Sequence, residues 1–225
     1  MILVVGLGNP DERYARDRHN VGFMVVDRLA AADDHIRFRK KFSSEFAKIE
    51  IRNEDALLLK PQTYMNLSGD AVQPCAAFFK IPPSQVIVVH DELDVPFGEI
   101  RIKKGGGHAG HNGLRSIIQR LATPDFVRVR VGIGRPPANF KGQVADFVLS
   151  PFNTTEREIL GKTVARAAKS VIDIATRGTD AAMKRYNVRP KKKKAAKPKP
   201  TPDASKASSE EAGADTAGND NAETN

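Results

Sequence analysis

The sequence predicts an α/β fold: a single domain with a twisted, mixed β-sheet flanked by helices over residues 1–189, followed by a disordered tail, 190–225. Three observations predict it. Short continuous aliphatic runs, ILVV at 2–5 and VIVV at 86–89, have the character of strands covered on both faces. Segments with helical spacing alternate with them, as in folds that lay helices on a largely parallel sheet. Other strand-like stretches, 46–52 and 55–60, follow each other too closely for a helical crossover, so some pairs must be antiparallel.

The first strand ends at Gly6 and feeds a loop punctuated by Gly8 and Pro10. A helix is expected from about Asn20, with Phe23, Val26, Leu29 and Ala30 on one side. Strands follow near 36–42, 46–52 and 55–60, the last stopping at Pro61, and a second helix opens near Ser68 with Val72, Ala76 and Phe79 on one face. The strand 86–89 ends in His90-Asp91-Glu92. After a turn at 96–98, Ile100 and Ile102 alternate with Arg101 and Lys103, a half-exposed strand with a cationic face. A glycine run, 105–113, leads into a helix carrying Leu114, Ile117, Ile118 and Leu121. In 126–133, Val127, Val129 and Val131 alternate with Arg128 and Arg130. Thr155 and Glu158 have capping-box spacing for a last long helix that stops at Gly178, with a short helix through Tyr186 beyond it.

Composition narrows the function. The 225 residues hold 36 Lys and Arg against 27 Asp and Glu, a net charge of +9. The tail contains seven Lys and six acids, which leaves 29 basic and 21 acidic residues, net +8, before it. A basic folded part suits a polyanionic partner such as nucleic acid. The tail lacks aromatic and branched aliphatic residues, runs basic (191–194, Lys197, Lys199) and then acidic (Glu210, Glu211, Asp215, Asp220, Glu223), and has nothing to bury. No apolar run approaches the roughly 18 residues of a membrane span, and the N-terminus lacks a charged leader, so a cytoplasmic protein is expected. One cysteine, Cys75, provides neither a disulfide nor a thiolate zinc site.

Polar residues of catalytic type stand at strand ends and in glycine loops: Asn9, His19, Asn66, Asp91 and Asn112. In an open α/β sheet the carboxyl ends of the strands are where ligands bind. Any one of these asparagines alone is adequately explained as a turn former or cap; five such positions on separate segments point to one site. His19 is the best candidate base, since imidazole titrates near neutrality, and Asp91 is a candidate for its orienting carboxylate. His90, His108 and His111 compete, as structural or substrate-lining groups. His108 and His111 with Asp91 and Glu92 can be written as metal ligands, but the spacing matches no familiar site and no metal is expected. There is no G-x-S-x-G elbow and no phosphate-binding G-x-x-x-x-G-K-[ST] loop, and in GLGNPD at 6–11 an aspartate replaces the third glycine of a dinucleotide fingerprint. Arg101, Lys103, Arg128 and Arg130 project to one side of two strands, where a phosphate would fit.

The segments GLGNP at 6–10, Tyr14, RHNVG at 18–22, KPQTYMNLSG at 60–69, HDELD at 90–94 and KGGGHAGHNG at 104–113, in this order over about residues 1–187, together resemble the bacterial peptidyl-tRNA hydrolase family. The resemblance implies a monomeric esterase without metal or other cofactor and without an obligatory protein partner. Its substrate is peptidyl-tRNA, cleaved between the peptide and the 3′ ribose to recycle tRNA in translation. It implies His19 as the base that activates water and Asp91 as its partner. Asn66 and Asn112 hold substrate and water, and Asn9 senses the blocked α-amino group. Tyr14, Tyr64, Met65 and His111 line the substrate channel, and Lys103 and Arg130 clamp the tRNA 5′-phosphate. Ala109 stands where the family often carries glycine, and the tail has no family role; its lysines at 191–199 are expected to add non-specific RNA attraction. A non-catalytic RNA-binding relative would keep the basic face without needing the His19, Asp91 and asparagine set, and a dehydrogenase would bind nicotinamide.

Overall fold

Strand alternation decides where the core sits. In β1 (Ile2–Gly6), Leu3 and Val5 point to one side of the sheet and Val4 to the other, all fully buried. β4 (Glu54–Pro61) and β5 (Val86–Glu92) flank β1 in parallel register and repeat the pattern: Ala56, Leu58, Ile87 and Val89 share the side of Val4, and Leu57, Leu59, Val86 and Val88 the side of Leu3. Four further strands complete the sheet: β2 (Arg39–Lys41), β3 (Ser44–Ile51), β6 (Ile100–Lys104) and β7 (Val127–Gly132). Their order is β2-β3-β4-β1-β5-β7-β6, with β7 parallel to β5 and with β2–β3, β3–β4 and β6–β7 antiparallel. This is the mixed sheet expected from the short 46–60 interval. The computed structural model describes residues 1–188, so the expected tail at 190–225, with its lysine run, lies outside the described residues.

Helices cover both faces. α1 (Val21–Ala30), α5 (Thr154–Arg177) and α6 (Thr179–Tyr186) bury their apolar sides against Val4, Leu58 and Val89, while α2 (Gly69–Phe78) and α3 (Asn112–Leu121) close the other face over Leu3, Val5 and Phe126. Cys75 lies fully buried in the second layer, where burial pushes its thiol up to about 11 and makes it unreactive. The free edge of β6 is closed by one side chain: Ile102 N donates to Asn187 Oδ1 at 2.7 Å, and Asn187 Nδ2 donates to Ile102 O at 2.8 Å. An amide thereby imitates a neighbouring strand at Ile102 and interrupts the edge there.

Three local expectations need correction. β5 runs on through Asp91 and Glu92, which pair with Val131 and Gly132 of β7, so Asp91 is held in the sheet rather than following it. The cap of α5 lies two residues before the Thr155 and Glu158 pair: Asn153 accepts from Glu156 N at 2.8 Å and Glu156 Oε2 accepts from Asn153 N at 2.7 Å. Thr155 is already inside the first turn, because Asn153 and Glu156 have the same capping-box spacing and asparagine is the stronger cap; Arg18 also holds Glu156. Finally, a short helix not expected from the sequence, α4 (Val144–Val148), precedes α5. Five residues are too few to show helical periodicity.

Candidate active site

The site forms where β1 and β5 end. From β1 the chain passes into Asn9, whose amide N donates to Asn20 Oδ1 at 2.9 Å while Asn20 Nδ2 donates to Asn9 O at 3.0 Å. This reciprocal pair ties the glycine loop to the 3₁₀ turn Arg18–Asn20 that carries His19 and leads into α1. Asn9 Oδ1 in turn accepts from Met65 N at 2.9 Å, which fixes the turn Met65–Leu67 after β4. With its oxygen so engaged, Asn9 keeps its NH₂ for another acceptor.

Asp91 is 4% exposed and organises two imidazoles. His19 Nδ1 lies 2.8 Å and His111 Nε2 3.1 Å from the same oxygen, Asp91 Oδ1. Burial disfavours the charged carboxylate, but the two imidazoles outweigh it and hold Asp91 ionised well below the usual carboxylate range. An ionised carboxylate only accepts, so both ring nitrogens donate to it. His19 is thereby protonated on Nδ1, leaving Nε2 with its lone pair. Burial works against a charge on His19 too, yet the attraction and hydrogen bond of Asp91, helped by Asp17, raise its pKa above the ordinary imidazole value.

His111 caps α3, with Nδ1 accepting from Leu114 N at 3.4 Å, and its ring lies 5.0 Å from those of both His19 and His90. His90 is 1% exposed, and Nδ1 donates to Asp91 O at 2.7 Å. Burial and the neighbouring His111 push its pKa down to about 3, so it stays neutral. Of the competing histidines, His90 is thus a buried structural group. His108 Nδ1 accepts from Gly110 N in its own loop at 3.1 Å, and the residue lines a cavity together with His19 and His111.

A cavity of about 310 Å³ is lined by His19, Asp91, Glu92, His111 and Asn112, with Val144, Ala145 and Val148 of α4 as its apolar wall. Asn9 lines a separate cavity of about 280 Å³ together with Asn20, Lys60 and Gln62. Asn66 lines neither and stands exposed on the turn beside buried Met65, whose Sδ packs against Gly113 at the start of α3. Tyr64 is 52% exposed, and Tyr14 is half-buried under Arg13, whose Cζ is 4.6 Å from the ring centre. The metal-ligand set written from the sequence is not assembled. Among the described residues the groups close enough to share an ion are His19, Asp91 and His111, whose approach is already accounted for by their hydrogen bonds.

The four strand cations do face one side, with Lys103 opposite Arg128 and Arg101 opposite Arg130. Their surroundings separate them. Arg128 is 3% exposed, and its guanidinium donates to the carbonyls of Gly106 and Gly107; it seats the glycine loop and is withdrawn from any ligand. Alternation places an arginine on a face but does not reveal that a loop will cover it. Arg101 pairs with Glu99 at 2.6 Å, and Arg130 Nε with Glu92 at 2.8 Å. Lys103 is exposed, with no acidic partner within 4 Å among the described residues. Gly6 and Gly8, read as a partial dinucleotide fingerprint, serve helix packing instead: a Cβ on Gly6 would lie 2.3 Å from Gly22 O, and one on Gly8 would lie 2.8 Å from the ring of Phe23.

The family model for peptidyl-tRNA hydrolase matches residues 3–196. The chain belongs to this family. A curated peptidyl-tRNA hydrolase from Sorangium cellulosum is 58% identical over 194 residues, covering 85% of this chain and 86% of that protein. Its counterpart from Nocardia farcinica is 50% identical over 181 residues, 80% of this chain and 93% of that protein. The crystal structure of peptidyl-tRNA hydrolase from Acinetobacter baumannii superposes with a TM-score of 0.76 at 38% identity, covering 84% of this chain and 95% of that one. The mixed sheet and its flanking helices are thus the fold of the family. Five of the six segments, those of Asn9, His19 with Asn20, Met65, Asp91 and His111, are linked by hydrogen bonds around β1 and β5.

Proposed function

We propose that the chain hydrolyses peptidyl-tRNA, cleaving the ester between the peptide and the 3′ ribose and so returning tRNA to translation. The observation that carries this reading is the His19–Asp91 contact of 2.8 Å at the wall of a cavity that also holds Asn112. His19 Nε2 takes a proton from water as that water attacks the ester carbonyl. Asp91 stabilises the imidazolium, which then returns the proton to the departing ribose oxygen. Asn112 stands at the N-terminus of α3, where side-chain amide and helix dipole both favour the developing oxyanion. Asn66 completes the grip on substrate and water, and the free NH₂ of Asn9 meets the blocked end of the first residue. Tyr14, Tyr64, Met65 and His111 border the path of peptide and terminal adenosine.

Lys103 and Arg130 take the 5′-phosphate. Arg130 bonds Glu92, itself part of the cavity wall, so phosphate and ester sites are joined through one ion pair. The enzyme works as a cytoplasmic monomer without a metal; among the described residues no helix is long and apolar enough to cross a membrane. The test is release of labelled N-acetyl-amino acid from N-acetyl-aminoacyl-tRNA in EDTA, with unblocked aminoacyl-tRNA beside it. Cleavage of the blocked substrate alone is expected; folded protein that binds tRNA and cleaves neither would leave only an RNA-binding role. For Lys103→Ala we expect tRNA affinity to fall several-fold and the salt slope of log K to drop by about one unit, the loss of one phosphate contact, as measured by filter binding across a salt series.

A further inference from the structure

The turn that presents His19 has a second side. Arg18, only 5% exposed, points away from Asp91 into the junction between α4 and α5. Its NH1 donates to Ser150 Oγ at 2.8 Å, to Pro151 O at 2.6 Å and to Ser150 O at 3.1 Å, and its NH2 donates to Glu156 Oε2 at 2.6 Å. The guanidinium carbon lies 4.3 Å from the ring centre of Phe147 in α4 and 5.2 Å from that of Phe152. The backbone reinforces the attachment: Arg18 N donates to Ser150 O at 3.1 Å, and Asp17 bridges Pro151 as in a short antiparallel ladder. Glu156 Oε2 also accepts from Asn153 N at the cap of α5, so one carboxylate oxygen secures both the helix start and the arginine.

α4 is anchored in the core by Phe147 and capped by Asp146, whose Oδ2 accepts from Gln143 N at 2.8 Å, but its link to the His19 turn runs through Arg18. It is five residues long, below the length at which a helix is stable on its own. Yet Val144, Ala145 and Val148 make the apolar wall of the cavity opposite Asp91 and Asn112. From this we infer that Arg18 is a positioning residue that seats α4 and thereby shapes the wall against which the substrate's 3′ end rests. The inference deepens the hydrolase reading and rests on it. The fork matters as well as the charge: four acceptors on two nitrogens match a guanidinium, whereas an ammonium presents one centre to them. Since His19 is separately fixed by Asp91, loosening α4 weakens the grip on substrate more than it disturbs the base.

The experiment compares wild type, Arg18→Lys, Val148→Ala and the double variant on N-acetyl-aminoacyl-tRNA, with KM, kcat, the acid limb of the pH profile and the thermal midpoint recorded for each. Arg18→Lys is expected to raise KM roughly fivefold to tenfold, with kcat changed by less than about threefold and the acid limb unmoved. The double variant is expected to be little worse than Arg18→Lys alone, because both act on one wall. Should Arg18→Lys fail to fold, Glu156→Gln, which keeps the cap of α5 but loses the charge facing Arg18, is read the same way. Unchanged KM in the folded single variant, or multiplicative effects in the double, would overturn the inference. Wild type inactive on the blocked substrate would instead overturn the hydrolase reading itself.

Discussion

His19→Ala is expected to lower kcat on N-acetyl-aminoacyl-tRNA by about a thousandfold or more, the scale of a lost general base, while tRNA affinity stays within a factor of about two. The expectation follows from the division of labour in the site. His19 is the imidazole with a free Nε2 on the cavity, whereas His111 spends both nitrogens on Asp91 and Leu114, and His90 is buried and neutral. Among the described residues His90 Nε2 and His108 Nε2 also lack a partner, but the first is buried outside the cavity and the second belongs to a ring that Asp91 does not hold. Asp91→Asn should cost between about a hundredfold and ten-thousandfold, because an amide can face His19 with either end and no longer enforces protonation on Nδ1. Single-turnover hydrolysis separates these losses from slow product release. Full activity in His19→Ala would remove the base assigned here.

The second large effect is on stability. Gly22→Ala places a methyl group 2.3 Å from Leu7 N and 2.4 Å from Val89 O, both main-chain atoms of the sheet and its loop, which cannot rotate aside. α1 must lift from β1 and β5 to admit it. We expect a destabilisation of about 3 kcal/mol, at the upper end of overpacking effects, and a fall in melting temperature of roughly 10 °C. Because Gly22 lies three residues after His19, the same displacement withdraws the base from Asp91, and activity should fall even at temperatures where the protein remains folded. Ala added at Gly161, where nothing lies within 4 Å, is the matched control, and helix propensity favours it there. A melting temperature unchanged in Gly22→Ala would contradict the close contact between helix and sheet.

Much of this was legible in the chain itself. Uninterrupted aliphatic runs at 2–5 and 86–89 read as strands buried on both faces, and both lie in the interior of the sheet. The catalytic candidates His19, before α1, and Asp91, near the end of β5, meet at 2.8 Å. What escaped was tertiary in origin. Arg128 and Arg130 look alike in an alternating pattern, yet a glycine loop folds over one and solvent reaches the other. The cap at Asn153 was legible locally, since Asn153 and Glu156 have the same spacing as Thr155 and Glu158; what the spacing does not carry is that Arg18, 138 positions earlier, also holds Glu156. The same long-range contact hides the role of Arg18, which in sequence is only a cation beside a histidine. His111, read as a substrate-lining group, proves to share an oxygen of Asp91, a fact that neither spacing nor composition carries.

Stability and activity respond to pH in opposite senses at this site. The pKa of His19 is raised in the folded protein, so its charged pairing with Asp91 contributes to stability fully below the unfolded imidazole value of about 6.5 and is lost as pH rises through the folded value. Asp91 is depressed, so its contribution is present above the unfolded carboxylate value of about 3.9 and disappears as pH falls toward its folded value. Catalysis needs the neutral imidazole, and therefore rises over the range where the charged pairing fades.

The measurement that bears most directly on the His19–Asp91 base is kcat/KM against pH for wild type and Asp91→Asn. Wild type is expected to show an acid limb of unit slope, with its midpoint above the ordinary imidazole value of about 6.5 and a plateau at higher pH. In Asp91→Asn the plateau should fall by about a hundredfold or more and the midpoint should move to lower pH, since the carboxylate that raises it is gone. Identical midpoints in the two enzymes, or activity that declines as His19 loses its proton, would contradict the His19–Asp91 base.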